Sequence, residues 1–112
     1  MVLYLANAFS LNMLDFNNKN ELTIKIEKIS EEMVKELLSK QDFVSVIGHE
    51  STAKFITEIL GIEVPTNRIQ IKVKKGDKII VLQLLQRLPE CKTLTKEELQ
   101  QIPKRWFLVS IL

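Results

Sequence analysis

Cysteine, histidine and arginine are scarce in this chain of 112 residues, and the first two scarcities each exclude a class of site. A single cysteine, Cys91, cannot close an internal disulfide framework, and the expected compartment is a reducing cytoplasm. With only one histidine beside it, His49, the chain lacks the ligand set of a Cys/His zinc site. An all-carboxylate magnesium site stays open, but no clustered Asp/Glu motif suggests one, and no metal or other cofactor is expected. No apolar run approaches the roughly 20 residues of a membrane-spanning helix. The apolar opening Met1-Val2-Leu3-Tyr4-Leu5 lacks the basic lead and cleavage pattern of a signal peptide and reads as a strand. Repeats, low-complexity stretches and linkers are absent too. Residues 1–112 are therefore expected to form one domain, long enough for a single core.

What is present is a chain 46% hydrophobic with a net charge of +2, which is well apolar for a folded domain and weakly charged for a nucleic-acid binder. Thirteen of its sixteen Lys+Arg residues are Lys, mostly solvating surface charge; the three Arg are Arg68, Arg87 and Arg105. Arg is the residue suited to forked contact with phosphate, so the placement of each one matters.

Periodicity predicts an α+β domain with a mixed sheet of roughly five strands and three short helices. Val2 to Phe9 reads as a buried strand running into a polar turn, Ser10-Leu11-Asn12, and 15–20 as a polar loop. Leu22, Ile24 and Ile26 alternate with polar residues as a half-buried strand does. Ser30 is a helix N-cap, followed by acidic Glu31 and Glu32 and by the apolar stripe Met33, Val34, Leu37, Leu38. After a short β-prone stretch, Phe43 to Ile47, Ser51 or Thr52 is expected to cap a helix whose inner face is Ala53, Ile56, Ile59 and Leu60. Gly61 stands where a left-handed C-cap is expected, and Pro65 breaks the chain beyond it. Ile69, Ile71 and Val73 alternate with polar residues, and Lys75-Gly76-Asp77 then turns the chain into Ile79 to Leu85. That pattern predicts a hairpin, its second strand central because it is apolar at nearly every position. Thr95 to Glu98 is a capping box for a last helix ended by Pro103, and Trp106 to Leu112 reads as a final strand.

Four polar clusters fall at the ends of these elements: Asn7 with Ser10 and Asn12; Gly48-His49-Glu50-Ser51-Thr52; Asn67-Arg68; and Gln86-Arg87-Leu88-Pro89-Glu90. An imidazole trades protons near neutral pH, and a helix start presents unpaired N–H groups that suit a phosphate. If the clusters converge, guanidiniums would bind phosphates while Asn side chains read base edges or 2′-hydroxyls. Each member also has a plainer reading. Ser10 and Asn12 form turns, Arg68 decorates a strand start, Arg87 pairs with Glu90, and Ser51 and Thr52 are caps. His49 itself can be a structural cap. No second His or suitable Lys arrangement stands ready to activate Ser51 or Thr52, which argues against a hydrolase triad. Phe43 and Phe55 fit the core better than a base-stacking platform. The residues alone reach a phosphate-ester site around His49 and no further.

Leu5-Ala6-Asn7-Ala8-Phe9-Ser10-Leu11-Asn12-Met13-Leu14, Ile47 to Thr52, Asn67-Arg68 and Gln86 to Glu90, taken together and in order, resemble the viral type III anti-CRISPR ring nucleases, a family of archaeal viruses with bacterial relatives. The resemblance implies a small homodimer, acting in the host cytoplasm, that binds cyclic tetra-adenylate and cuts it without a metal. It implies His49 as the catalytic histidine and Glu90 as an assisting carboxylate. Arg87, Ser10, Asn12, Asn7, Arg68, Ser51 and Thr52 would contact the ligand or shape the site. The chain departs from the family at Cys91, where a Gly usually follows the motif glutamate. If that position needs a positive φ, a Cys there strains or redirects the loop that carries Glu90.

Two rival readings remain beside the nuclease: a sponge or sensor that holds the cyclic nucleotide without cutting it, and a small nucleic-acid-binding regulator. The weak net charge and the lack of a basic recognition helix speak against the second. Neither a membrane nor duplex nucleic acid is an expected partner.

Overall fold

The structure, a computed structural model, describes residues 1–88 and 95–112. Its sheet is mixed and five-stranded, in the order β2-β5-β4-β1-β3. The strands are β1 (Leu3–Ala6), β2 (Ile24–Ile29), β3 (Val44–Ser45), β4 (Lys78–Leu84) and β5 (Lys104–Ile111), with helices α1 (Glu31–Lys40), α2 (Glu50–Leu60) and α3 (Lys96–Gln100) between them. The expected α+β class with a mixed sheet is what the chain adopts. β1 runs parallel to both β3 and β4, whereas β5 runs antiparallel to β4 and to β2.

Strand alternation feeds two apolar layers. Leu3, Leu5, Ile80, Leu82, Trp106 and Leu108 face the helices, where they meet Val34, Leu38, Phe55, Ile56 and Ile59. Ala6, Ile79, Val81, Val109 and Ile111 face the other way, where Leu14 and Val73 cover them from irregular chain. β4 contributes to both layers, which is why it reads as apolar throughout and why it lies in the middle of the sheet. Phe55 is buried and Phe43 packs against the helix-side core, as expected.

The caps are mostly where the sequence puts them. Ser30 accepts a hydrogen bond from the N–H of Met33 (3.2 Å), and Thr95 accepts from Glu98 (3.2 Å) while the Glu98 carboxylate accepts from the N–H of Thr95 (3.2 Å). Gly61 ends α2 in the left-handed region (φ 69°), its N–H reaching the carbonyl of Thr57 at 2.9 Å.

Three expectations are corrected. The α2 N-cap is His49, so Ser51 and Thr52 belong to the first turn, and Thr52 is buried on the inner face beside Phe55 and Ile56. Ile26 is 58% exposed on β2, an edge strand, where no described residue covers it. The hairpin from Ile69 to Leu85 does not form. The tight turn does: Gly76 has φ 95° and the N–H of Asp77 reaches the carbonyl of Lys74 at 2.9 Å. But β4 gives one edge to β1 and the other to β5, so no ladder position is left for 69–74. That segment crosses the helix-free face instead, where its one strand-like pairing among the described residues is a parallel bridge, Leu14 to Val73.

Candidate functional site

The topology decides which polar clusters can meet. β3, β1 and β4 are parallel, so their C-terminal ends share one edge of the sheet. In sheets of this kind ligands gather outside the carboxyl ends of the strands. Asn7 follows β1 there, Gly48-His49 follows β3, and Arg87 lies beyond the end of β4.

His49 holds the N-cap of α2 with extended backbone (φ −117°, ψ 129°), and its carbonyl accepts from the N–H of Ala53 at 3.0 Å. Its side chain makes no capping hydrogen bond and is exposed. The imidazole is therefore held by the backbone at a helix start and left open to solvent. The first-turn N–H groups beside it lack a side-chain cap, which suits an anion. Glu50 in the same turn also complements the helix dipole.

Arg68 is brought to this point by the chain after Pro65, which runs along the outer side of β3. Asn67 fixes it there: its N–H reaches the carbonyl of Ile47 at 2.7 Å, and its Nδ2 reaches the carbonyl of Ser45 at 2.8 Å. Ser45 Oγ in turn donates to the carbonyl of Pro65 at 2.7 Å. The Arg68 stem lies so close to Gly48 that a Cβ there would sit 3.2 Å from Arg68 Cγ. The glycine before the histidine thus makes room for an arginine.

Next to this group a pocket of about 640 Å³ opens between the 3-10 turn Leu11–Met13 and the segment 69–72. Asn7, Ser10 and Asn12 line it together, as the sequence anticipated, along with Val46, Ile69, Gln70 and Lys72. Val46 and Ile69 also connect it to the histidine, the first lying just before Ile47-Gly48 and the second directly after Arg68. His49, Ser51, Thr52, Arg68 and Arg87 are not among its lining residues.

The structure therefore yields two adjacent groups: a pocket with Asn7, Ser10 and Asn12, and a rim with Gly48, His49 and Arg68. Arg87 is exposed at the same sheet edge, in neither group. Glu90 and Cys91 lie outside the described residues. Gln70 and Lys72 were missed in the sequence, where they looked like the solvent face of a hairpin strand. Among the described residues no three His, Cys, Asp or Glu side chains assemble as a metal site, and no helix is long and apolar enough to cross a membrane.

Residues 3–106 match a family model described as STIV B116-like. Uncharacterized protein 26 of Sulfolobus islandicus filamentous virus (isolate Iceland/Hveragerdi) is 38% identical over 112 residues, covering 99% of this chain and 92% of its own. Uncharacterized protein YddF of Bacillus subtilis (strain 168) is 37% identical over 90 residues, covering 79% and 83% respectively. Among solved structures, B116 of Sulfolobus turreted icosahedral virus superposes with a TM-score of 0.84 at 29% identity, over 98% of this chain and 99% of that one.

Proposed function

The chain belongs to the STIV B116-like family, and on that footing we propose that it is a metal-independent ring nuclease: it binds cyclic tetra-adenylate and cleaves it into linear di-adenylates, countering type III CRISPR defence. The observation that supports this most is His49, an exposed imidazole at a helix start with Arg68 beside it and an amide-lined pocket adjoining. That is one proton carrier, one phosphate ligand and one nucleotide-sized cleft at a single sheet edge.

Apart from solvent water, the reaction needs no group from outside the chain and its substrate. An adenosine 2′-hydroxyl gives up its proton to solvent water as its oxygen attacks the adjacent phosphorus, the bond to the 5′-oxygen breaks, and a 2′,3′-cyclic phosphate is left. His49 as imidazolium gives its proton to the departing 5′-oxygen, help usually worth about 10²–10⁴-fold. Ser51 and Thr52 in the first turn of α2, with their backbone N–H groups, shape the phosphate site, and Arg87 adds a second guanidinium. Asn7, Ser10 and Asn12 hold the nucleotide so that the attack is in line. Glu90 keeps the assisting role that the family resemblance gives it.

A homodimer completes the reading. The ring has four phosphates and two-fold symmetry, and two copies of Arg68 and Arg87 supply four guanidiniums across an isologous contact. Leu11, in the 3-10 turn beside the pocket, and Ile69, which lines it, are 77% and 44% exposed, and a second copy seated there would cover them. The site acts in the host cytoplasm, where the cyclic messenger is made.

A non-cleaving sponge is the second reading, favoured by the absence of His49 from the pocket lining. Incubating the protein with excess cyclic tetra-adenylate in EDTA and resolving products by chromatography separates the two. Many turnovers per protomer are expected, whereas a stoichiometric complex with intact ring would establish the sponge. His49→Ala is expected to abolish cleavage with binding largely retained; a variant that still turns over refutes the general-acid assignment.

A further inference from the structure

The pocket beside the 3-10 turn has a lopsided lining. Among the described residues, Asn7, Ser10, Asn12 and Gln70 are neutral, no carboxylate lines it, and the charge comes from Lys72 alone. Lys72 is exposed, and its Nζ donates to the main-chain carbonyl of Asn12 at 2.7 Å, across 60 residues of sequence. That bond uses one of the three protons of an ammonium group. Among the described residues Lys72 makes no other side-chain hydrogen bond and no salt bridge.

The backbone that carries Lys72 is fixed on the same turn. The N–H of Val73 reaches the carbonyl of Met13 at 2.7 Å, and the N–H of Asp15 reaches the carbonyl of Val73 at 2.9 Å. Val73 is fully buried, so the alternation of the segment sets Lys72 on the opposite, open side. A long flexible side chain is thus rooted on rigid backbone at the pocket wall, tethered by one proton and with two to give.

We propose that Lys72 is the phosphate-binding cation of this pocket. It takes a phosphodiester oxygen of the bound nucleotide, while its bond to Asn12 holds the turn that presents Ser10 and Asn12. This rests on the reading that the pocket receives cyclic tetra-adenylate. Four neutral hydrogen-bonding side chains offer nothing to balance a phosphate, and Lys72 supplies that charge where Arg68 and Arg87 do not line the wall.

The test measures binding of labelled cyclic tetra-adenylate at several salt concentrations for the wild type, Lys72→Met and Lys72→Arg, with a linear tetra-adenylate as second probe and melting curves as a fold control. Lys72→Met is expected to fold normally and to bind about ten- to hundredfold more weakly. Its slope of log affinity against log salt should be shallower by about 0.7 for each phosphate left without its cation. Lys72→Arg is expected to restore the slope, and kcat should change far less than KM. Wild-type affinity and slope in Lys72→Met overturn the proposal. Equal weakening in both variants at an unchanged slope also overturns it, since Lys72 would then act only through the turn. If the wild type binds the linear probe but not the ring, the preceding reading fails, and loss of that binding in Lys72→Met still supports Lys72. Binding of neither probe overturns both.

Discussion

Replacing Gly48 with Ala tests whether the histidine and the arginine form one site. Gly48 does not have a positive φ, so its backbone accepts an alanine. What the glycine provides is space: an added Cβ would lie 3.2 Å from Arg68 Cγ, 3.6 Å from Arg68 Cβ and 3.8 Å from Arg68 Cα. Comfortable carbon–carbon contact is about 3.5–4.0 Å, so only Cγ is too close, by a few tenths of an ångström. The Arg68 backbone cannot slide away, because Asn67 is bonded to the carbonyls of both Ile47 and Ser45. Relief has to come from the torsions of the Arg68 side chain. A small turn there swings the guanidinium much further than it moves Cγ.

The two consequences differ in size. Folding loses little: the clash is with a flexible, exposed stem, well below the about 1–3 kcal/mol of overpacking a core. Stiffening the unfolded chain returns about 0.4–1 kcal/mol, so a net stability change within about 0.5 kcal/mol is expected by urea unfolding. Ligand binding loses more. A charge-assisted hydrogen bond is worth about 1.5–3 kcal/mol, and a guanidinium turned out of its forked geometry forfeits about half, or about four- to twelvefold in affinity for cyclic tetra-adenylate. A double-mutant cycle isolates the cause. If Gly48→Ala acts through Arg68, it costs nothing further in an Arg68→Ala background. Additive losses, or wild-type affinity in Gly48→Ala, refute the coupling.

Two further predictions concern the frame that holds the site. Asp77 is buried, and its carboxylate accepts from the N–H of Val2 (3.0 Å) and of Lys74 (3.1 Å), tying the start of β1 to the turn before β4. Asp77→Ala leaves both donors without that acceptor and is expected to cost at least about 2 kcal/mol by urea unfolding; a loss under about 0.5 kcal/mol refutes the tie. Tyr4 is the one tyrosine, so its ionisation can be read alone by absorbance. Burial, and then the Asp77 carboxylate, push its phenol above the ordinary 10.0. The native state therefore keeps this proton longer than the unfolded chain, and its stability falls as pH rises above about 10, until the folded phenol ionises as well. A titration midpoint at or below 10 would count against that environment.

Much of the fold can be read locally because its signals are local. The Ser30 and Thr95 caps, the Gly61 stop and the inner face of α2 each depend on residues within a turn or two, and each is found as expected. The hairpin failed because pairing is a competition over the whole chain. The Lys75-Gly76-Asp77 turn forms, yet β1 and β5 outcompete 69–74 for the edges of β4, and no local pattern records that contest. Thr52 is a different kind of miss. Thr52, Phe55, Ile56 and Ile59 follow the spacing of one helix face, so the sequence did hold the evidence that Thr52 turns inward. In the site, Asn7, Ser10 and Asn12 converge because they leave one strand together. Lys72 was hidden because only the displaced segment 69–74 carries it to that wall.

On the proposed function, that displacement would also separate binding from chemistry. Had 69–74 paired with β4, it would have lain within the sheet; across the helix-free face it builds one wall of the pocket, with Lys72 on that wall and Arg68 just before its first residue, off the wall. His49 instead belongs to α2 and is fixed through the backbone to Ala53, on the other side of Gly48. Under that proposal the charge that would hold the ring and the proton that would cut it sit on different elements, which meet, among the described residues, where Arg68 packs on Gly48. For a nuclease built this way, changes at Lys72 or Arg68 should move KM and the salt dependence, and changes at His49 should move kcat alone. Gly48→Ala is the one substitution that reaches across. Its effect on kcat, measured at saturating ring, tells whether Arg68 serves the reacting phosphate or only a neighbouring one.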